Sequence, residues 1–279
     1  MPARALRLGL VLLALVAAPE VTNAAAPGAA PEVTNAAAPG AANGATGGAA
    51  GAAATAPGPL ATTPACPDAG AYAVSDAPLP ALAAALRAPA PVEILAIGSA
   101  STAAADGYPQ HLLAALRAAR PGSVFHLTVR GARGLLADES LALLRAALHE
   151  RRAPLVLWQV GTVEAVRGVR PEAMVDALEA GAAAVARQGG DLVLIDPQYS
   201  RFLEANVDLD PYQQAIASVA GQGGVVLFHR FALMRDWADA GTLDLERTVP
   251  KARAAVAARL AECVGTALAR FVLSGAGAH

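Results

Sequence analysis

From about residue 66 onward the chain alternates between two hydrophobic rhythms. Short, near-continuous apolar runs rich in Val, Leu and Ile occur at PVEILAI (91–97), SVFHLTV (123–129), PLVLWQV (154–160), DLVLID (191–196) and GVVLF (224–228). Between them lie longer segments with apolar residues at helical spacing: Tyr108–Arg120, Asp138–Arg151, Pro171–Gln188 and Asp210–Ala220, with a last one over Val249–Leu273. Strands that are apolar throughout are buried on both faces, and their alternation with amphipathic helices marks a parallel sheet. With right-handed crossovers, the pattern predicts an α/β fold: a three-layer α/β/α sandwich around a five-stranded parallel sheet.

The first 65 residues follow neither rhythm. Arg4 and Arg7 precede the apolar run Leu8–Ala18, and small residues follow, so residues 1–25 read as a signal peptide. As a helix that run rises only about 16 Å, too short to span a bilayer, so no stable membrane insertion is expected. Pro19 disfavours cleavage directly after Ala18 and moves the expected site toward Ala24–Ala26. Residues 26–65 read as a low-complexity Ala/Pro/Gly linker, within which APEVTNAAAPGA, first seen at Ala18–Ala29, recurs at Ala30–Ala41. A unit with one Val has nothing to bury and is too short for a solenoid repeat. The folded domain is therefore expected over 66–275, in a protein exported to the periplasm or the extracellular space.

Composition narrows the partners. The formal net charge is -2 and only 16% of residues are charged, so there is no basic block and nucleic-acid binding is not expected. Aromatic residues make up 4%, which leaves the core to Leu, Val and Ala. Neither cysteine, Cys66 nor Cys263, belongs to a Cys/His cluster of zinc spacing, and no cofactor or metal is expected. In an exported protein the two could pair and staple the start of the domain to its last helix; the alternative is two unrelated thiols.

Ligands of open α/β sheets bind outside the carboxyl ends of the strands. That rule selects the stretches GSASTAAADGY, RGARGLLADES, GTVEAVRGVR, PQYSRFLEAN and HRFALMRDW as the loops that carry any chemistry.

In this order, AIGSAST, VRGARG, LWQVGT, LIDPQYS and FALMRDW resemble the blocks of the SGNH/GDSL hydrolase family, particularly its exported proteobacterial members, over the whole folded part. The resemblance implies an SGNH-hydrolase, flavodoxin-like fold and esterase-like chemistry. A serine nucleophile would follow the first strand, and an oxyanion hole would be built from a Gly after the second strand and a Gly-x-Asn after the third. An Asp-x-x-His near the last helix would supply the base. Matched residue by residue, Gly98 takes the family's Gly, Ser99 its Asp and Ala100 the nucleophile's position, with Ser101 and Thr102 following. Gly131 or Gly134 supplies the second block's N–H. Gly161 and Thr162 match the third block, but Val163 stands where the Asn belongs, and an oxyanion donor is typically worth roughly 10²–10³ in rate. None of the five histidines falls between Thr242 and Ala278, and the nearest remnant of the last block is Asp244-Leu-Glu-Arg247, whose Arg cannot accept a proton. The resemblance thus implies a scaffold kept with its machinery removed.

Other residues offer a rebuilt site. His229 follows the fifth strand and, with Ser99, Ser101 or Ser200 as nucleophile and Asp106, Asp196 or Asp236 to orient it, would restore a triad. Asp196, Gln198, Tyr199 and Ser200 form either a polar pocket wall or a strand-ending turn, and Gln159 and Glu164 either face that pocket or satisfy local backbone. Three functions remain. The first is a non-catalytic exported protein binding a carbohydrate or acyl-ester ligand among Gly134, Gly161, Thr162, Val163, Asp196, Gln198 and Tyr199. The second is an ester hydrolase using Ser99 or Ser101 with His229. The third is a structural envelope protein with a protein partner that the sequence does not identify.

Overall fold

The computed structural model describes residues 65–221 and 224–278. The signal peptide and nearly all of the linker read from the sequence lie outside the described residues. Five strands, β1 (Val92–Gly98), β2 (Phe125–Gly131), β3 (Leu155–Gln159), β4 (Asp191–Ile195) and β5 (Val225–Phe228), form one sheet in the order β2-β1-β3-β4-β5. Every pairing is parallel, with Gly98 beside Gly131, Ile97 beside Trp158 and Gln159 beside Ile195.

Helices cover both faces. α1 (Pro80–Arg87), α3 (Tyr108–Ala119) and α10 (Arg253–Gly275) pack on one side; α4 (Ala137–Glu150), α6 (Pro171–Arg187) and α8 (Asp210–Ala220) pack on the other. Along β1 the side chains alternate between these layers: Ile94 and Ala96 join the first core, Leu95 and Ile97 the second. β3 and β4 are buried at every position, which is why their sequences read as unbroken apolar runs. The sheet's ends differ. β2 is buried at Phe125 but exposes His126 and Arg130, and β5 at the other end is only four residues long.

The stretches after the strands, read as loops from sequence, are largely short helices: α2 (Ala100–Ala103), α5 (Thr162–Arg167), α7 (Arg201–Asn206) and α9 (Arg230–Asp239). HRFALMRDW is therefore a helix. Phe231 and Ala238 pack into one core and Leu233 and Trp237 into the other, a two-sided burial that blurs the amphipathic pattern.

Close approaches fix the layers. Gly265 of α10 lies against α3, where a Cβ would stand 2.5 Å from the Tyr108 carbonyl oxygen and 2.7 Å from the Leu112 nitrogen. Trp158 is fully buried against Gly181, with its Nε1 donating to Ser140 Oγ at 2.9 Å. Cys66 and Cys263 are joined by a disulfide that ties the start of the described chain to α10.

Candidate functional site

The strand order reverses between β2 and β3, on either side of β1, and a crevice opens outside the carboxyl ends at such a point. Gly98 ends β1 and Gln159 ends β3, so the first strand's loop folds over the side chain of the second. A Cβ on Gly98 would collide with Thr102 Oγ1, so the turn into α2 needs glycine there. Ser99 precedes α2, and Ala100, exposed, is its first residue.

Gln159 collects this loop. Its buried Oε1 accepts from the Ser99 amide at 3.3 Å and Ser99 Oγ at 3.1 Å, and at 3.5 Å from both Ser101 Oγ and Thr102 Oγ1. Thr102 Oγ1 also shares a 3.0 Å hydrogen bond with the Tyr108 hydroxyl. Burial pushes that phenol above its ordinary pKa.

Beneath the loop lies a buried cation. Arg230, the first residue of α9, is 2% exposed, and its Nη1 donates to Ser101 Oγ at 3.2 Å. Its Nε and Nη2 are buried with no hydrogen-bond partner among the described residues. Burial pulls the guanidinium pKa down, against the influence of Tyr108 and Asp196, yet an arginine stays protonated. Asp196 is buried too and accepts from the Phe231 amide at 2.8 Å, so it caps the start of α9. Burial raises its pKa to about 7 despite the Phe231 and Arg230 amides and the Arg230 charge.

His229 is half exposed, with Nδ1 4.0 Å from Asp196 Oδ2. Among the described residues no histidine is hydrogen-bonded to a serine hydroxyl. The other two aspartates considered as its partner lie elsewhere: Asp106 stands 3.0 Å from His111, and Asp236 accepts from the Tyr72 hydroxyl at 2.9 Å. Ser200 is also occupied, donating to Glu246 at 2.6 Å and capping α7 through the Leu203 amide. The structure therefore brings Ser99, Ser101 and Gln159 together and leaves His229 at the rim.

The flanking loops are tied by backbone contacts. A Cβ on Gly131 would strike the Gly98 carbonyl, so the second loop begins hard against the first. Gly134 adopts φ 77°, and Arg167 Nη2 sits 2.8 Å from where its Cβ would stand. Gly161, at φ 94°, leads into α5, and Thr162 Oγ1 accepts from the Gln198 amide at 3.3 Å. Val163 is half-buried. Glu164 accepts from the amides of Ala137 at 2.6 Å and Gly161 at 2.8 Å, which locks the third loop to the start of α4. Burial raises its pKa against those two bonds.

A family model, the non-GDSL lipase-like family, matches residues 65–278. The chain belongs to the non-GDSL lipase-like family. Solved structures with the same fold include LAE5, an α/β hydrolase enzyme from the metagenome of Lake Arreo, Spain, at 18% identity and TM-score 0.54, covering 69% of this chain and 98% of that one. A mutant of Axe2, an acetyl-xylooligosaccharide esterase from Geobacillus, follows at 16% identity and TM-score 0.53, covering 67% and 94%. TesA matches at 22% identity and TM-score 0.50, covering 63% and 97%. Among proteins with curated descriptions none matches.

Several groups in this lipase-like crevice are structural. Tyr199 is no open stacking wall: it is 7% exposed, packs edge-on against Phe231 and donates to Glu204. Asp244 accepts from the Glu246 and Arg247 amides and from Arg201 Nε; burial opposes its charge, but these donors hold its pKa below the usual range. Arg247 is 72% exposed beside it. No group of three or more His, Cys, Asp or Glu that could hold a metal occurs among the described residues, and no described helix is long and apolar enough to cross a membrane. The lipase-like site's buried Arg230 was not singled out in the sequence, because a charge at a strand's end reads as solvated.

Proposed function

We propose that this chain is an exported, non-hydrolytic member of the non-GDSL lipase-like family whose crevice holds a carbohydrate or acyl-ester ligand. One observation carries the reading: the serines flanking Ala100 bond to Gln159 and Arg230, and no histidine reaches either of them. A serine becomes a nucleophile when a neighbouring base takes its proton. Ser101 instead accepts a hydrogen bond from a guanidinium, and Ser99 donates one to an amide oxygen that is not a base at neutral pH. Val163 in place of an oxyanion donor and Arg247 in place of a base support the same reading.

The test is hydrolysis of short-chain p-nitrophenyl esters by the full chain and by Ser99→Ala, Ser101→Ala and His229→Ala variants. No turnover above background is expected from any of them. Turnover lost in one variant would instead establish an esterase built on His229, whose contact with Asp196 is the feature favouring that alternative.

A further inference from the structure

Three arginines in the segments that follow β2 and β3 have no guanidinium partner among the described residues. Arg133 lies in the loop after β2, and Arg167 and Arg170 lie after β3; all three are exposed, and none makes a hydrogen bond or ion pair through its guanidinium among the described residues. The two loops meet, since Arg167 Nη2 occupies the space beside Gly134, next to Arg133. Three of the acids near these loops are engaged with backbone: Asp138 accepts from the Glu139 amide, Glu139 from the Leu136 amide, and Glu164 from two amides within the core, while Glu172, two residues after Arg170, is exposed.

The floor supplies an independent sign of the same charge. Arg230 is buried under the serine loop with Nε and Nη2, the side-on edge that fits a planar oxyanion, free of any hydrogen bond. Its acidic neighbour Asp196 is turned to the start of α9, and burial raises its pKa to about 7. A cation so little compensated at low dielectric projects positive potential into the crevice above it.

We propose that the crevice binds an oligosaccharide bearing repeated carboxylates, with Arg133, Arg167 and Arg170 pairing the acid groups and Ser99 and Ser101 meeting the hydroxyls. The inference rests on the binding role proposed above and names its ligand class. Three unpartnered guanidiniums exceed what one carboxylate can pair, which favours a ligand that repeats its charge. The hydroxyl and amide groups between them favour a sugar over an acyl chain. A second polar groove, beside β2 and the end of α4, has its cations engaged: Arg130 and Arg151 are paired with Glu150 and Glu93, and Arg152 donates to the Gln188 carbonyl.

The experiment is calorimetric titration of the full chain with oligogalacturonate, a neutral malto-oligosaccharide and anionic phospholipid vesicles, at low and high salt. Arg133→Ala, Arg167→Ala and Arg170→Ala variants are compared, each checked for an unchanged thermal midpoint. Uronate binding that weakens with salt is expected, and the Arg167→Ala change is expected to weaken it about tenfold or more. Failure to bind uronate, equal binding of the neutral sugar, arginine-dependent binding to vesicles alone, or an Arg167→Ala variant that binds like the wild type would each overturn it. Neutral-sugar binding would leave the non-hydrolytic binding role standing while removing this inference. Serine-dependent ester turnover would remove that role and leave a measured uronate affinity intact.

Discussion

Arg230 and Ser101 meet at 3.2 Å across 129 residues of chain, and that contact joins the helix after the last strand to the loop after the first. It gives the Ser101 hydroxyl beside Ala100 a buried cationic donor. The loops after β1 and β5 are coupled by this polar contact.

On the proposed non-hydrolytic reading, a hydroxyl at position 100 is not by itself enough for hydrolysis. An Ala100→Ser variant is expected to stay at background on p-nitrophenyl acetate, because the hydroxyls on either side of it bond to Gln159 and Arg230 rather than to a base, and the Val163 side chain offers no donor. Measurable burst kinetics from that single change would contradict the account of the missing base.

Asp196 makes stability depend on pH. Its carboxyl rises from 3.8 to about 7 on folding, so the folded state holds the proton more tightly. The stabilisation it brings is complete below pH 3.8 and is lost as pH rises through about 7. The wild-type thermal midpoint should therefore fall over that window relative to Asp196→Asn, whose amide does not titrate. Parallel profiles for the two proteins would show that Asp196 is not the group responsible.

Reducing the disulfide should lower stability substantially. The bond spans 197 positions, and removing so long a cross-link costs roughly 5 kcal/mol in the chain-entropy model. Denaturant melts with and without reductant, repeated on a Cys66→Ser/Cys263→Ser variant, measure the loss.

A methyl group at position 265 separates α3 from α10. Gly265→Ala places a carbon 2.5 Å from the Tyr108 carbonyl oxygen, and backbone cannot rotate aside as a side chain can. Overpacking of this kind costs typically about 1–3 kcal/mol, which the midpoint of a urea melt would show.

The sheet was legible because its strands are buried on both faces. The run at 191–196 and the observed Asp191–Ile195 differ by one residue. The last helix starts at Arg253 rather than Val249 because Pro250–Ala252 first makes a 3-10 turn. The position of Ala100 was equally readable, since it depends only on the strand before it. Gln159 and Arg230 were harder. Both owe their roles to partners far along the chain, and nothing local marks an amide as the hub of a loop or an arginine as buried. α1 was missed for a similar reason: it is short, and Asp191 from β4 accepts the Leu82 amide at its start.

β2 and β5 leave the sheet with two open rims, and each is closed to a sixth strand by a different means. Along β2, His126 is held by Glu93 and Arg130 by Glu150, so a strand arriving from another copy would have to strip water from a polar pair and an ion pair. β5 offers so little length that an added strand would gain few backbone bonds. A protein with such rims resists growing by sheet extension, and this keeps the ends of the sheet out of self-assembly.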